Sequence, residues 1–229
     1  MKTLGLIGGM SWESTVPYYR LINETIKARL GGLHSARLVI YSVDFDEIAT
    51  LQHAGDWDAA GQVLADAARR LERAGAQGLV ICANTMHKVG PAIEAVVRVP
   101  VLHVVDAVAD DIRAAGFHNV GLLGTRFTME QPFYAERLAR HGLQTLIPEQ
   151  ADRELVHRVV YEELCLGKIV DDSRDAYRRI MAELVARGAQ AIILGCTEIS
   201  MLVSARDAAV PLFDTTAIHA RKAAEWMLA

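Results

Sequence analysis

The peptide Gly75-Ala-Gln-Gly-Leu-Val-Ile-Cys-Ala-Asn-Thr85 returns in altered form as Gly188-Ala-Gln-Ala-Ile-Ile-Leu-Gly-Cys-Thr-Glu198. Two more pairs follow the same order: Gly5-Leu-Ile-Gly-Gly9 with Gly121-Leu-Leu-Gly-Thr125, and Val99-Pro-Val-Leu with Val210-Pro-Leu-Phe. The offsets are similar, roughly 111 to 116 residues. Chance supplies any one of these matches; three in register indicate two homologous halves. With 229 residues, 52% of them hydrophobic, each half of roughly 100 residues has enough apolar material for its own core.

Within the halves, short apolar runs alternate with amphipathic stretches. Leu4–Ile7, Leu38–Val43, Gly78–Cys82, Val101–Val104, Val120–Leu123 and Ala191–Leu194 read as buried strands. Val16–Leu30, Asp58–Ala74 and Ser173–Arg187 carry apolar residues at helical spacing. Such alternation predicts an α/β fold of parallel sheets covered by helices. The layout expected is two pseudo-twofold-related α/β domains with the active site in the cleft between them. The Val-Pro pairs close each repeat, so the expected domains are residues 1–98 plus 210–229, and residues 99–209.

Charge and cysteine usage narrow the function. The net charge of −4 and the scattered Lys and Arg argue against nucleic acid or an anionic membrane as partner. No run approaches about 18 apolar residues, and the opening apolar run is too short for a signal-peptide core. The three cysteines, Cys82, Cys165 and Cys196, form no CxxC and are odd in number, which fits a reducing, cytoplasmic setting.

In parallel α/β sheets, ligands sit beyond the carboxyl ends of the strands. Four polar loops fall there: Gly8-Gly9-Met10-Ser11, Ala83-Asn84-Thr85, Thr125-Arg126 and Cys196-Thr197-Glu198. A helix starting after each would present N–H groups to a carboxylate. The repeat sets position 83 against position 196. If the halves face each other, these two side chains flank one ligand, an arrangement suited to inversion at a carbon. A thiol of pKa about 8.5, lowered by a helix N-terminus, is a reasonable acid/base there. Cys196 supplies one; Ala83 can transfer no proton. Cys82 is expected to point to the opposite face of its strand and to pack there, and Cys165, on an apolar helical stretch, to be core.

The motifs Gly195-Cys196-Thr197-Glu198, Asn84-Thr85-Met86-His87, Gly8-Gly9-Met10-Ser11-Trp12-Glu13-Ser14 and Phe213-Asp214-Thr215-Thr216 together resemble the aspartate/glutamate racemase family. They are closest to its aspartate racemase branch, which includes a broad-specificity enzyme of enteric bacteria. The resemblance covers essentially the whole chain. It implies amino-acid racemisation without pyridoxal phosphate or any other cofactor, by two facing cysteines, on a small amino-acid or dicarboxylate substrate, in a homodimer. The family's first cysteine directly precedes the Asn-Thr pair, where this chain carries Ala83; some members of the branch carry Thr there. By the same resemblance, Asn84, Thr85 and Thr197 hold the α-carboxylate with Thr125 close by. Met10 and Gln52 line the site, and Lys168 is the cation near the distal carboxylate.

Plainer roles stand beside these. Lys168 follows a glycine that can end a helix, and Asn84 and Thr85 can cap the helix after them. His87 and His219 lack a partner at metal-binding spacing and are expected to satisfy local hydrogen bonds. Gly5–Gly9 does not match GxGxxG, which argues against a dinucleotide. Two other functions remain open: a one-cysteine decarboxylase or isomerase of the same superfamily, and a carboxylate-binding protein that has lost catalysis.

Overall fold

The structure, a computed structural model, describes residues 1–229. It divides into two compact units, Met1–Val104 with His219–Ala229, and Val105–Ile218. The first holds strands β1 (Leu4–Gly8), β2 (Leu38–Ser42), β3 (Gly78–Ile81) and β4 (Val101–Leu102), all parallel, in the order β2-β1-β3-β4. The second holds β5 (Asn119–Gly124), β6 (Gln144–Leu146), β7 (Ala191–Gly195) and β8 (Leu212–Asp214), also parallel, in the equivalent order β6-β5-β7-β8.

Both faces of the first sheet are covered, as its continuous apolar strands require. Ile7, Leu79 and Ile81 pack against Leu64, Ala68 and Leu71 of helix Trp57–Arg73. On the other face Leu4, Leu6 and Val80 meet Tyr18, Ile22 and Ile26 of helix Trp12–Leu30, together with Ala220, Ala223 and Met227 of helix Thr215–Leu228.

The repeated Gly-Ala-Gln peptide does the same local work in each unit. Gly75 (φ 95°) and Gly188 (φ 103°) take the left-handed conformation that stops the preceding helix. The glutamine then docks the neighbouring strand. Gln77 Oε1 accepts from Thr3 N–H at 2.9 Å, and Gln190 Oε1 accepts from His118 and Asn119 N–H at 2.8 and 3.0 Å.

The observed boundaries differ from those expected. The chain leaves the first unit after Val104 and returns at His219, not at 98/99 and 209/210. The reason lies in the Val-Pro pairs. Leu79 N–H donates to Pro100 O and Ile192 N–H to Pro211 O, each at 2.9 Å. Each pair therefore opens the outermost strand of its own sheet, and only the helix that follows changes unit. The strand expected over residues 101–104 stops at Leu102, because Val104 begins helix Val104–Ala114. Strands β6 and β8, three residues each, were not anticipated.

Candidate functional site

In each sheet the chain steps from the first strand to one side and returns on the other, so the order reverses between β1 and β3, and between β5 and β7. Loops splay apart at such a point and leave a crevice beyond the carboxyl ends. All four polar loops singled out from the sequence follow these strands.

In the first unit, Met10, Ala83 and Met86 share one apolar cluster. Gln52, on helix Phe45–Ala54, donates from Nε2 to Met86 Sδ at 2.9 Å. Asn84 and Thr85 are buried at the start of a 3-10 turn, Thr85–Val89. The structure thus brings Met10, Gln52, Ala83, Asn84 and Thr85 together at one end of the first sheet. Gly9 takes φ 89° in the loop after β1, and its N–H donates to Thr15 Oγ1 at 2.8 Å, which ties that loop to the following helix. Cys82 and Ala83 lie in opposite clusters: Ala83 with Met10 and Met86, Cys82 with Tyr18 and Leu6 on the far face of the sheet. Burial pushes the Cys82 thiol well up, so it stays a neutral packing group.

In the second unit, Gly124 and Gly195 pair across β5 and β7, and the next residues are Thr125 and Cys196. A Cβ at Gly195 would come within 2.8 Å of Leu123 O, so close backbone approach needs glycine there. Thr125 caps the short helix Arg126–Glu130, its hydroxyl accepting from Thr128 N–H at 3.3 Å.

Cys196 donates from Sγ to Glu198 Oε2 at 2.9 Å, and Thr197 Oγ1 donates to the same oxygen at 2.6 Å. All three residues are buried. Burial first, then the negative charge of Glu198, push the Cys196 thiol well above its ordinary value. The expectation that a helix N-terminus lowers it is corrected by this arrangement. The helix that follows, Ile199–Leu202, is four residues long and too short to build a sizeable dipole, while a carboxylate sits on the sulfur.

Sequence reading missed two members of this cluster. Glu198 entered only as part of a motif, although a carboxylate two residues beyond a thiol on one turn was a usable signal. Cys165, expected to be core, is only partly buried, and its Sγ donates to Glu198 Oε1 at 3.8 Å. Lys168 is exposed. Its N–H donates to Glu163 O at 2.9 Å just past Gly167 (φ 69°), the geometry of a helix end.

The chain is similar to known proteins over its whole length. The profile described as Asp/Glu/Hydantoin racemase matches residues 7–223. A broad specificity amino-acid racemase, RacX of Bacillus subtilis, is 23% identical over 99% of this chain and 98% of its own. A Yersinia pestis protein proposed to be an Asp/Glu racemase has a crystal structure that superposes with a TM-score of 0.93 at 59% identity, covering 100% of both chains. An aspartate racemase homologue from Pyrococcus horikoshii superposes with a TM-score of 0.86 at 35% identity, again over 100% of both.

Proposed function

Because the chain belongs to the Asp/Glu/hydantoin racemase family, whose membership supports a racemase-type function, we propose that it moves the α-proton of an acidic amino acid without a cofactor, using Cys196. The observation that carries this reading is the 2.9 Å hydrogen bond from the Cys196 thiol to Glu198. A buried thiol beside a carboxylate rests as S–H, ready to give a proton. To take one, it first passes its own proton to Glu198 Oε2, leaving a thiolate and a carboxylic acid; the thiolate then removes the hydrogen from Cα. The Thr197 hydroxyl donates to the same oxygen while no substrate is bound; its one O–H turns to the substrate carboxylate when that arrives.

Roles for the remaining residues follow the family resemblance. Asn84, Thr85 and Thr197 bind the substrate carboxylate with Thr125 nearby; Met10 and Gln52 line the site; Lys168 meets the distal carboxylate. Ala83 occupies the position equivalent to Cys196 in the repeat. Its methyl group cannot return a proton, so exchange of the α-hydrogen outpaces net inversion. The three free cysteines fit the cytoplasm, and no helix is long and apolar enough to cross a membrane. Trp12, Val16 and Tyr19 form an exposed apolar stripe on one helix, 65%, 54% and 53% accessible, which supports a homodimer.

The test is incubation with L- and D-aspartate and glutamate in heavy water, following the α-proton by NMR. Exchange is expected with at least one enantiomer. Tight aspartate binding with no exchange would instead favour a carboxylate-binding protein, and release of carbon dioxide from a substituted malonate would favour a decarboxylase.

A further inference from the structure

The first unit contains three buried histidines that the proton transfer does not use, His87, His103 and His219, and the hydrogen bonds of His87 and His219 fix which ring nitrogen carries the proton. His87 Nδ1 lies 2.8 Å from Ala83 O, and Val104 N–H donates to His87 Nε2 at 3.2 Å. A carbonyl only accepts and an amide N–H only donates, so His87 is neutral with its proton on Nδ1. His219 is the reverse. Its Nε2 faces Leu102 O at 2.8 Å and must donate, which leaves Nδ1 to accept from the Tyr18 hydroxyl at 2.8 Å. The backbone on either side of His103 is thereby held by two imidazoles of opposite tautomer, their ring centroids 5.8 Å apart.

The bond to Ala83 has a conformational effect at the candidate site. In an α-helix, the carbonyl of residue 83 would accept from the N–H of residue 87. Here His87 N–H turns to Asn84 O at 3.1 Å, making the tighter 3-10 turn. The Ala83 carbonyl, left without that amide, accepts from the His87 ring instead. A buried carbonyl needs some such partner, so the ring makes the 3-10 turn affordable, and that turn sets the directions of Asn84 and Thr85.

We propose that His87 is a positioning residue. Its Nδ1–H holds the Ala83-Asn84-Thr85 turn in the 3-10 form that presents Asn84 and Thr85 to the substrate carboxylate, and its Nε2 anchors that turn to Val104. This rests on the reading that Asn84 and Thr85 bind the carboxylate. His87 touches no reacting atom, so its loss weakens substrate binding and leaves the chemical step nearly intact.

Three measurements test it. Ring-nitrogen NMR of the wild-type protein at neutral pH should show His87 with Nδ1 protonated and Nε2 bare; an imidazolium or the other tautomer would overturn the proposal. His87→Ala should raise KM for α-proton exchange by about three- to tenfold, the size of one lost hydrogen bond, with kcat changed less than about twofold. His87→Asn, whose amide nitrogen falls where Nδ1 lies, should recover most of that loss, whereas His87→Gln, reaching only towards Val104, should not. A fall in kcat at constant KM, or rescue by Gln and not Asn, would overturn it. Aspartate Kd by calorimetry separates the two levels of inference. Wild-type protein that binds no aspartate would sink the functional reading, while wild-type binding that His87→Ala leaves unchanged would sink this proposal alone.

Discussion

Cys196 and Glu198 share one hydrogen bond, thiol to carboxylate, on a turn that buries them both. Burial first, and the charge of Glu198 second, keep the sulfur protonated. The thiol and the Thr197 hydroxyl thus converge on one oxygen of Glu198.

Removing the sulfur should stop proton transfer without emptying the site. Cys196→Ser is expected to lower α-proton exchange at least about 100-fold, while aspartate Kd by calorimetry stays within a few-fold. An exchange rate close to wild type would remove Cys196 from the chemistry.

Glu198→Gln removes the charge that helps to hold the thiol proton. The Cys196 pKa should then fall, because repulsion by Glu198 raises it now, and the pH midpoint for alkylation by iodoacetamide should move down. Exchange should fall as well, since an amide cannot take the thiol proton. A faster exchange in this variant would show that Glu198 only restrains the sulfur.

Ala83→Cys restores a thiol at the repeat-equivalent position. Ala83 is already nearly buried among Met10 and Met86, and one sulfur atom is a modest addition there. Two-way racemisation, followed by polarimetry or chiral chromatography, should rise relative to α-proton exchange. An unchanged ratio would discredit the view that a second thiol is what limits inversion.

Both buried thiols tie stability to pH. The fold raises the Cys82 and Cys196 thiols above their ordinary value, chiefly by burial, so it favours the neutral form. That contribution is fully present below the unfolded thiol pKa of about 8.5 and is lost as pH rises beyond it. Thermal scans should show Tm falling above about pH 8.5, and Cys82→Val, close in size, should make the fall shallower. A Cys82→Val curve parallel to wild type would contradict the burial argument.

Gln190 tests the repeat itself. It accepts two strand-opening N–H groups, but from an exposed position where water can replace it. Gln190→Ala should cost about 1 kcal/mol in urea unfolding, and Gln77→Ala, whose Oε1 accepts from Thr3, no more than that. A cost near zero for both would make the shared glutamine incidental.

The amino-acid order alone determined the duplication, the parallel α/β architecture and the facing of Cys82 away from Ala83. Those features follow from local rules: a glycine that ends a helix, a peptide order that recurs, and a two-residue period along β3. Tertiary structure decided the rest. The crossing points depend on Pro100 and Pro211 meeting strands that lie about twenty residues earlier in sequence. The raised thiol of Cys196 depends on burial that a one-dimensional pattern does not measure. Cys165 reaches Glu198 from 33 residues away, and the tautomers of His87 and His219 depend on Val104, Leu102 and Tyr18. Protonation state is set by whichever groups the fold packs against a side chain, and those neighbours come from distant parts of the chain.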